Sequence, residues 1–514
     1  MVKQQPGMRP HRGTGTAVGL AERSLTALKW NYAGIATKVL AQFVVGVVLA
    51  RLLGPEPFGV YSAVLLVTGV GVPIVERGFG SAVIQARRLN DEMIRYAFTR
   101  LLMTGLAAAV VLCVAAHSVA ALFRYPALTT AIYCSALYLC VHAISVLPGA
   151  LLQRDLDMKS FQMAQIAAYL VGYGVVGITG ALLGVGAWSL IAALVTQLIV
   201  YALLAYTRVR HTIRPLFKLK DQQLTSFGNL VVATNLLNWV IENLDNLLVG
   251  RLYGMRALGL YAVSYNLVRT PTNHVMTTVQ GVLFPAGARA QENILGLQRA
   301  YLTALSAVLL VLCPIFLGIA SVAHTVVEGI YGGKWAGAEA LLLPLALAMP
   351  VHASMTGSAL LWARGQVATE LKVQVGTVVI FLITLLLASR ISVQAIAWAV
   401  FAVYILRAWW LTSKILKSIQ LSWSAFLGAA RGGLFLGAVT AGTFYLVDMA
   451  LASTGMNSLN RLCMLACLGA VIVIVLPVFV RGLITSTELR SLLERAIPRS
   501  PRLLRTVMQL YVRA

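Results

Sequence analysis

The sequence predicts an all-α polytopic membrane protein of about fourteen transmembrane helices, two parallel six-helix lobes with two extra C-terminal helices. Three observations carry that expectation. Of 514 residues, 59% are hydrophobic and only 11% charged, and the mean hydropathy is +0.82, which no soluble domain matches. Apolar runs recur from Trp30 to Gly482, and ~20 residues of helix rising ~1.5 Å each cross a hydrocarbon layer of ~30 Å. The chain also repeats itself. Arg51-Leu52-Leu53-Gly54-Pro55-Glu56-Pro57-Phe58-Gly59-Val60-Tyr61 returns, at an offset of 200, as Arg251-Leu252-Tyr253-Gly254-Met255-Arg256-Ala257-Leu258-Gly259-Leu260-Tyr261, the mark of a duplicated half.

Taken in order, residues 1–29 are polar, basic and rich in Gly and Pro, with no apolar core or cleavage site before Trp30, and read as a flexible cytoplasmic leader. Spans are expected at 30–50, 58–82, 96–122, 127–151, 161–183 and 186–206, the N-lobe within 30–207. A basic linker, 208–225, carries Arg208, Arg210, Arg214, Lys218 and Lys220, and is expected to lie on an anionic leaflet. The C-lobe within 226–417 has spans at 226–250, 257–282, 300–323, 336–362, 371–389 and 392–412. A further pair, 424–447 and 461–480, fills 418–482, and 483–514 reads as a basic amphipathic cytoplasmic tail.

Six spans separate the two copies of the repeat. An even number places both Arg-Leu-X-Gly turns on one side, so the halves are parallel repeats. Of the 41 Lys and Arg residues, 29 fall on the side of the N-terminus, 7 on the other and 5 within spans, which puts both termini in the cytoplasm. The net charge of +24 sits in short connections between spans, so its partners are anionic lipids and not nucleic acid. Cys113, Cys134, Cys140, Cys313, Cys463 and Cys467 all lie in apolar runs at no ligand spacing, and predict neither disulfide, metal nor cofactor. Asp155-Leu156-Asp157 has the Asp-X-Asp form of many glycosyltransferases, yet no nucleotide-binding domain surrounds it.

The informative residues are polar ones inside spans, where a charge costs ~2.5–3.5 kcal/mol and persists mainly where it faces protein or water. Asn235, Asn238, Glu242 and Asp245 form one narrow stripe on span 7. Span 8 has Asn266, Arg269, Asn273 and Gln280, with Pro271 suggesting a kink, and span 1 has Asn31, Lys38 and Gln42. Under the repeat Lys38 corresponds to Asn238 and Gln42 to Glu242, so these faces are symmetry mates that meet across an interface or a wet cavity between the lobes. Lys38 and Arg269 lie too deep to snorkel. A structural ion pair with Glu242 or Asp245 is the alternative role for either. Arg77 beside Glu76 is placed to snorkel, as is Arg407 beside Trp409 and Trp410, and the lone histidines His117, His142, His274 and His352 read as packed or hydrogen-bonded.

The chain resembles the polysaccharide transporters of the O-antigen flippase type, in the superfamily that also holds lipid II flippases and multidrug extruders. The likeness runs from about Trp30 to Leu416. It is carried by Ala50-Arg51-Leu52-Leu53-Gly54-Pro55, Gly78-Phe79-Gly80-Ser81-Ala82-Val83-Ile84-Gln85, Leu152-Gln153-Arg154-Asp155-Leu156, Asn243-Leu244-Asp245-Asn246-Leu247-Leu248-Val249-Gly250-Arg251, Leu283-Phe284-Pro285 and Lys334-Trp335. The resemblance implies an inner-membrane protein that flips an undecaprenyl-pyrophosphate-linked oligosaccharide for surface polysaccharide synthesis. It also implies a V-shaped pair of lobes with spans 1, 2, 7 and 8 around a cationic cavity. Glu76-Arg77 departs from it, since the family more often has an acid followed by an apolar residue.

The expected function is therefore flipping by alternating access without covalent chemistry. Lys38, Arg269 and Arg77 serve as cavity cations, and Glu242 and Asp245 as candidates for a coupling ion. A polysaccharide polymerase and chain-length proteins are the expected protein partners. A drug or cation antiporter on the same fold is the alternative, but would want an acidic cavity where Lys38 and Arg269 stand. A membrane-embedded polymerase would want a long outer loop bearing acids or arginines, and no loop here exceeds about 20 residues.

Overall fold

A computed structural model describes residues 17–76, 79–86, 89–217 and 228–479, and within them the chain is helical throughout, with no strand. Arg77, residues 1–16 of the expected leader, 218–225 of the linker and the tail 483–514 lie outside the described residues. Two compact units emerge, Met1–Leu52 with Val64–Val240, and Leu53–Ala63 with Ile241–Ala514.

The helices of the first unit are α1 (Ala17–Leu53), α2 (Pro55–Glu76), α3 (Phe79–Gln85), α4 (Asp91–Leu122), α5 (Leu128–Arg154), α6 (Met158–Tyr169), α7 (Ile178–Leu182) and α8 (Ala187–Val209). Residues 17–29, expected in the leader, are already part of α1. Asn90 starts α4 by accepting the Met93 N–H at 2.8 Å, and Asp91 and Glu92 place negative charge at the positive end of the helix dipole. Between α5 and α6, Leu156 takes a left-handed conformation (φ 57°) and Asp157 accepts the Ser160 N–H at 3.1 Å. The Asp-X-Asp stretch is thus a capped turn. The span expected at 161–183 contains a π-helical segment, Leu170–Gly177, between α6 and α7. At Gly172 an added Cβ would stand 2.6 Å from the Ala193 carbonyl oxygen and 2.7 Å from the Gln197 Cβ, so its missing side chain lets α8 approach.

After α8 the chain runs back over the start of α4. Arg95 Nε donates to the Arg214 carbonyl at 3.1 Å, the Leu216 N–H to Thr99 Oγ1 at 2.8 Å, and the Thr212 hydroxyl to Asp91 at 2.8 Å. His211, 7% exposed, lies between Phe98 and Tyr206 with ring centroids 5.2 Å from each. The described first half of the linker is therefore fastened to protein, with Arg210 and Arg214 exposed.

The second unit begins with the first turns of α2. It continues through α9 (Gly228–Arg289) from Ile241, α10 (Ile294–Ser321), α11 (Ala323–Tyr331), α12 (Ala338–Ala353), α13 (Ser358–Ala363), α14 (Val367–Ala388), α15 (Val393–Ser418), α16 (Trp423–Ser453) and α17 (Ser458–Phe479). Within α9 the helical dihedrals fail only at Gly254 (φ 83°, ψ −178°), and its repeat mate Gly54 has φ 84° between α1 and α2. Only glycine takes such angles without strain, which explains the glycine in both Arg-Leu-X-Gly turns. The other repeated glycine serves packing. A Cβ on Gly59 would overlap the Met255 carbonyl oxygen, and one on Gly259 would overlap that of Pro55.

Twelve helices among the described residues are long and apolar enough to span a bilayer, fewer than the fourteen expected. The two arms of α9, where spans 7 and 8 were expected, are not among them; the arm after Gly254 carries Asn266, Arg269 and Asn273 where other spans are apolar. On one side of the second unit Asp448 of α16 accepts from Thr325 at 2.8 and 2.9 Å and from Arg461 of α17 at 3.2 Å. Ser458 donates to Glu328 at 2.6 Å and accepts from Arg461 at 2.9 Å, completing a clamp between α11, α16 and α17.

Candidate functional site

In the first unit Lys38 extends from α1 toward α6, where its ammonium donates to the Gln165 carboxamide oxygen at 2.5 Å. Among the described residues no carboxylate lies within salt-bridge distance of it. A partly buried ammonium held only by a neutral amide keeps its net charge for something else. About two turns N-terminal to Lys38, Asn31 accepts from Gln162 of α6 at 2.8 Å, and beyond Lys38 the Gln42 backbone carbonyl accepts from the Tyr169 hydroxyl at 3.4 Å. The side chains of Asn31 and Lys38 therefore meet α6, inside the first unit, through residues the periodicity of α1 could not name.

Lys38 also lines a cavity of about 510 Å³ made by α1, α2, α3, α5, α6 and α8 of this unit alone. Across it Glu76 Oε1 and His142 Nε2 are 3.2 Å apart, and the Tyr138 ring stacks on His142 with centroids 5.9 Å apart at 7°. Sequence reasoning set His142 aside as a lone histidine. Its carboxylate partner is 66 positions away, and only the meeting of α2 with α5 shows the pair.

In the second unit the stripes on the two arms of α9 do meet. Arg269 Nη2 is 2.7 Å from Glu242 Oε2, and Nη1 donates to the Glu242 carbonyl and to the Tyr265 hydroxyl at 3.1 Å each. The guanidinium also lies 5.1 Å from the Tyr265 ring centroid, a cation–π contact. The side chain of Arg269 is 17% exposed and that of Glu242 52%, so the pair is open at its acidic end. Asp245 is closed, 1% exposed. It accepts from the Tyr261 hydroxyl at 2.7 Å and from the Asn246 N–H and carboxamide at 2.7 and 3.1 Å. Tyr265 meets Tyr404 of α15 hydroxyl to hydroxyl at 3.1 Å, and Tyr404 packs on His352 of α12 at 5.4 Å. The tyrosines Tyr261 and Tyr265, spaced one turn apart, bind the two ionic positions into one network.

The remaining expected residues are not drawn in. Asn266 and Asn273 are exposed and Gln280 half-buried, none with a side-chain hydrogen bond among the described residues. The side chains of Asn235 and Asn238, like Arg77, fall outside the described residues. Among the described residues no group of three or more His, Cys, Asp or Glu side chains could hold a metal ion. Each unit thus offers groups of both signs, Lys38 and Glu76 lining one cavity in the first and Arg269 with Glu242 in the second.

A family profile described as "Polysaccharide biosynthesis protein" matches residues 48–340. The teichuronic acid biosynthesis protein TuaB of Bacillus subtilis is 24% identical over 358 residues, 67% of this chain and 73% of that protein. The succinoglycan biosynthesis transport protein ExoT of Rhizobium meliloti is 25% identical over 307 residues, 60% of this chain and 62% of that protein. Among solved structures, the lipid II flippase MurJ in an inward closed conformation superposes with a TM-score of 0.68 at 13% identity, covering 87% of this chain and 97% of that one. That likeness shows the fold.

Proposed function

From the premise that this multi-pass membrane protein belongs to the polysaccharide biosynthesis protein family of transporters, we propose that it flips an undecaprenyl-pyrophosphate-linked oligosaccharide across the inner membrane. It works by alternating access, without covalent chemistry, with both termini in the cytoplasm. The product passes to a polysaccharide polymerase and chain-length proteins.

One observation carries this reading: the Lys38 ammonium, partly buried in α1, is held by the Gln165 amide and by no described carboxylate. A pyrophosphate diester brings about two negative charges. A cation ~5 Å away at an effective dielectric of ~20 contributes roughly 3 kcal/mol before desolvation. Arg269, in the second unit, is the other proposed substrate-binding cation, with its charge partly met by Glu242. A drug or cation antiporter would instead place an unpaired acid where Lys38 stands.

The test is accumulation of lipid-linked repeat units on the inner leaflet in a Lys38→Ala strain, normalised to protein level. Accumulation at normal abundance is expected whatever the sugars of the repeat unit. Full transport by Lys38→Ala would sink the proposal.

A further inference from the structure

The cavity beside Lys38 has the wrong chemistry for an ion or a hydrocarbon chain. Glu76 would repel a second anionic group, Lys38 a cation, and a prenyl chain would strand the carboxamides of Gln153 and Gln197. Neither of those two amides has a side-chain hydrogen bond to any described residue, yet both line the cavity. Each offers donors and an acceptor together, as a sugar hydroxyl requires of its partners. Ring faces are present as well: Tyr138 stacks on His142, and Tyr201 meets Phe161 edge-on at 6.3 Å. The volume, about 510 Å³, lies in the ~300–1,000 Å³ range of small-ligand pockets.

The backbone is shaped to place these groups. Gly149 of α5 has no Cβ, and one there would stand 2.5 Å from the Tyr201 hydroxyl, so the glycine is what lets that phenol reach the cavity wall. Gly172, in the π-helical segment, does the same for Gln197. A π turn displaces a helix face by one residue and is common at functional positions.

We propose that this cavity is a saccharide-binding subsite, which receives the sugar next to the pyrophosphate while Lys38 holds the phosphate at its edge. The second half of that statement rests on the function proposed above; the first rests on the amides, carboxylate and ring faces of the cavity. The subsite gives the transporter a grip on head groups that carry a sugar, over the bare lipid pyrophosphate that returns after polymerisation.

The experiment measures binding to the full-length protein in lipid nanodiscs by native mass spectrometry. Its two probes are undecaprenyl pyrophosphate and the lipid-linked oligosaccharide extracted from the cells that make the protein. The wild type should prefer the oligosaccharide lipid. Gln153→Leu with Gln197→Leu should weaken that probe about 10-fold, the worth of two polar contacts, and leave undecaprenyl pyrophosphate unchanged. Gly149→Ala, which crowds the Tyr201 hydroxyl at the cavity wall, should act in the same direction. Lys38→Ala should weaken both probes; if it weakens neither while the glutamine pair still discriminates, the phosphate reading fails and the saccharide subsite stands. Equal binding of both probes by the wild type, or equal loss of both in the glutamine pair, overturns the subsite. So does a Glu76→Gln variant that alters only the pH dependence of transport, which would make Glu76 and His142 a proton site.

Discussion

Gly59 lies so close to Met255 that a side chain on it would occupy the position of the Met255 carbonyl oxygen, and Gly259 stands in the same relation to Pro55. Met255 is the repeat mate of Pro55, and Gly259 of Gly59, so this is one contact made twice about a pseudo-twofold axis. Backbones that approach this closely share Cα–H···O contacts and the packing of small residues typical of membrane helices. Gly59→Ala or Gly259→Ala should force the helices apart, at ~1–3 kcal/mol or more. Thermal unfolding in detergent should show a lower midpoint for both, and none for Gly442→Ala, whose Cβ would meet nothing within 4 Å.

Variants of the Arg269–Glu242 ion pair separate a structural role from the proposed role in transport. Arg269→Ala leaves Glu242 half-exposed and Tyr265 without its cation, and should lower protein abundance. Adding Glu242→Gln should restore abundance but not transport. Recovery of both would show the pair to be purely structural.

Among the described residues Asp245 is the sole acceptor of the buried Tyr261 hydroxyl. Asp245→Ala should cost about 1–3 kcal/mol, the penalty of leaving such a donor unsatisfied. Asp245→Asn keeps an acceptor and should cost less. If transport is lost in Asp245→Asn at full thermal stability, the carboxylate is needed for coupling; full transport in Glu242→Gln, Asp245→Asn at normal protein level removes both acids as coupling sites.

Arg461 is the hub of the clamp on α17, 11% exposed, bonded to Asp448 and Ser458. Its removal strands Asp448, a loss of about 3 kcal/mol for a nearly buried pair. Arg461→Ala should therefore expose the α16–α17 connection to protease while the rest of the chain stays resistant.

His211 makes the docking of the linker on α4 sensitive to acid. Burial lowers its pKa below the ordinary imidazole value, and the Thr212 carbonyl and Asp91 pull the other way. The folded segment thus holds the neutral ring. Its stability is complete above ~6.5, the value of a free imidazole, and falls as pH drops below that, because the released segment takes up the proton more readily. Hydrogen exchange of residues 211–217 should quicken between pH 7.5 and 5.5 relative to the intrinsic rate, and His211→Phe should abolish the change.

Twelve of the spans were legible because each is a long apolar run, whereas the two arms of α9 are not, and α1 begins at Ala17, well before the span expected at 30–50. Both glycines of the repeat were visible as identities, though not the reason for either, which lies in a dihedral for Gly54 and in a neighbouring carbonyl for Gly59. Periodicity put Glu242 and Arg269 on stripes, and the structure joins them. It could not show that Lys38 meets Gln165 or Glu76 meets His142, since those pairs are separated by 127 and 66 residues and depend on how helices cross. Nor could hydropathy find α11, an amphipathic helix too short to span.

The single break at Gly254 has a consequence for biosynthesis. With no loop between them, the two arms of α9 leave the ribosome as a helical hairpin, and Glu242 and Arg269 come together as soon as the second arm has passed the turn. Inserted separately, each charge would cost ~2.5–3.5 kcal/mol at the bilayer centre. If the acid and the base enter together they cross as a neutral pair, so Arg269→Ala or Glu242→Ala alone should lower insertion of the two arms, read by a reporter placed after Arg289, and replacing both should restore it.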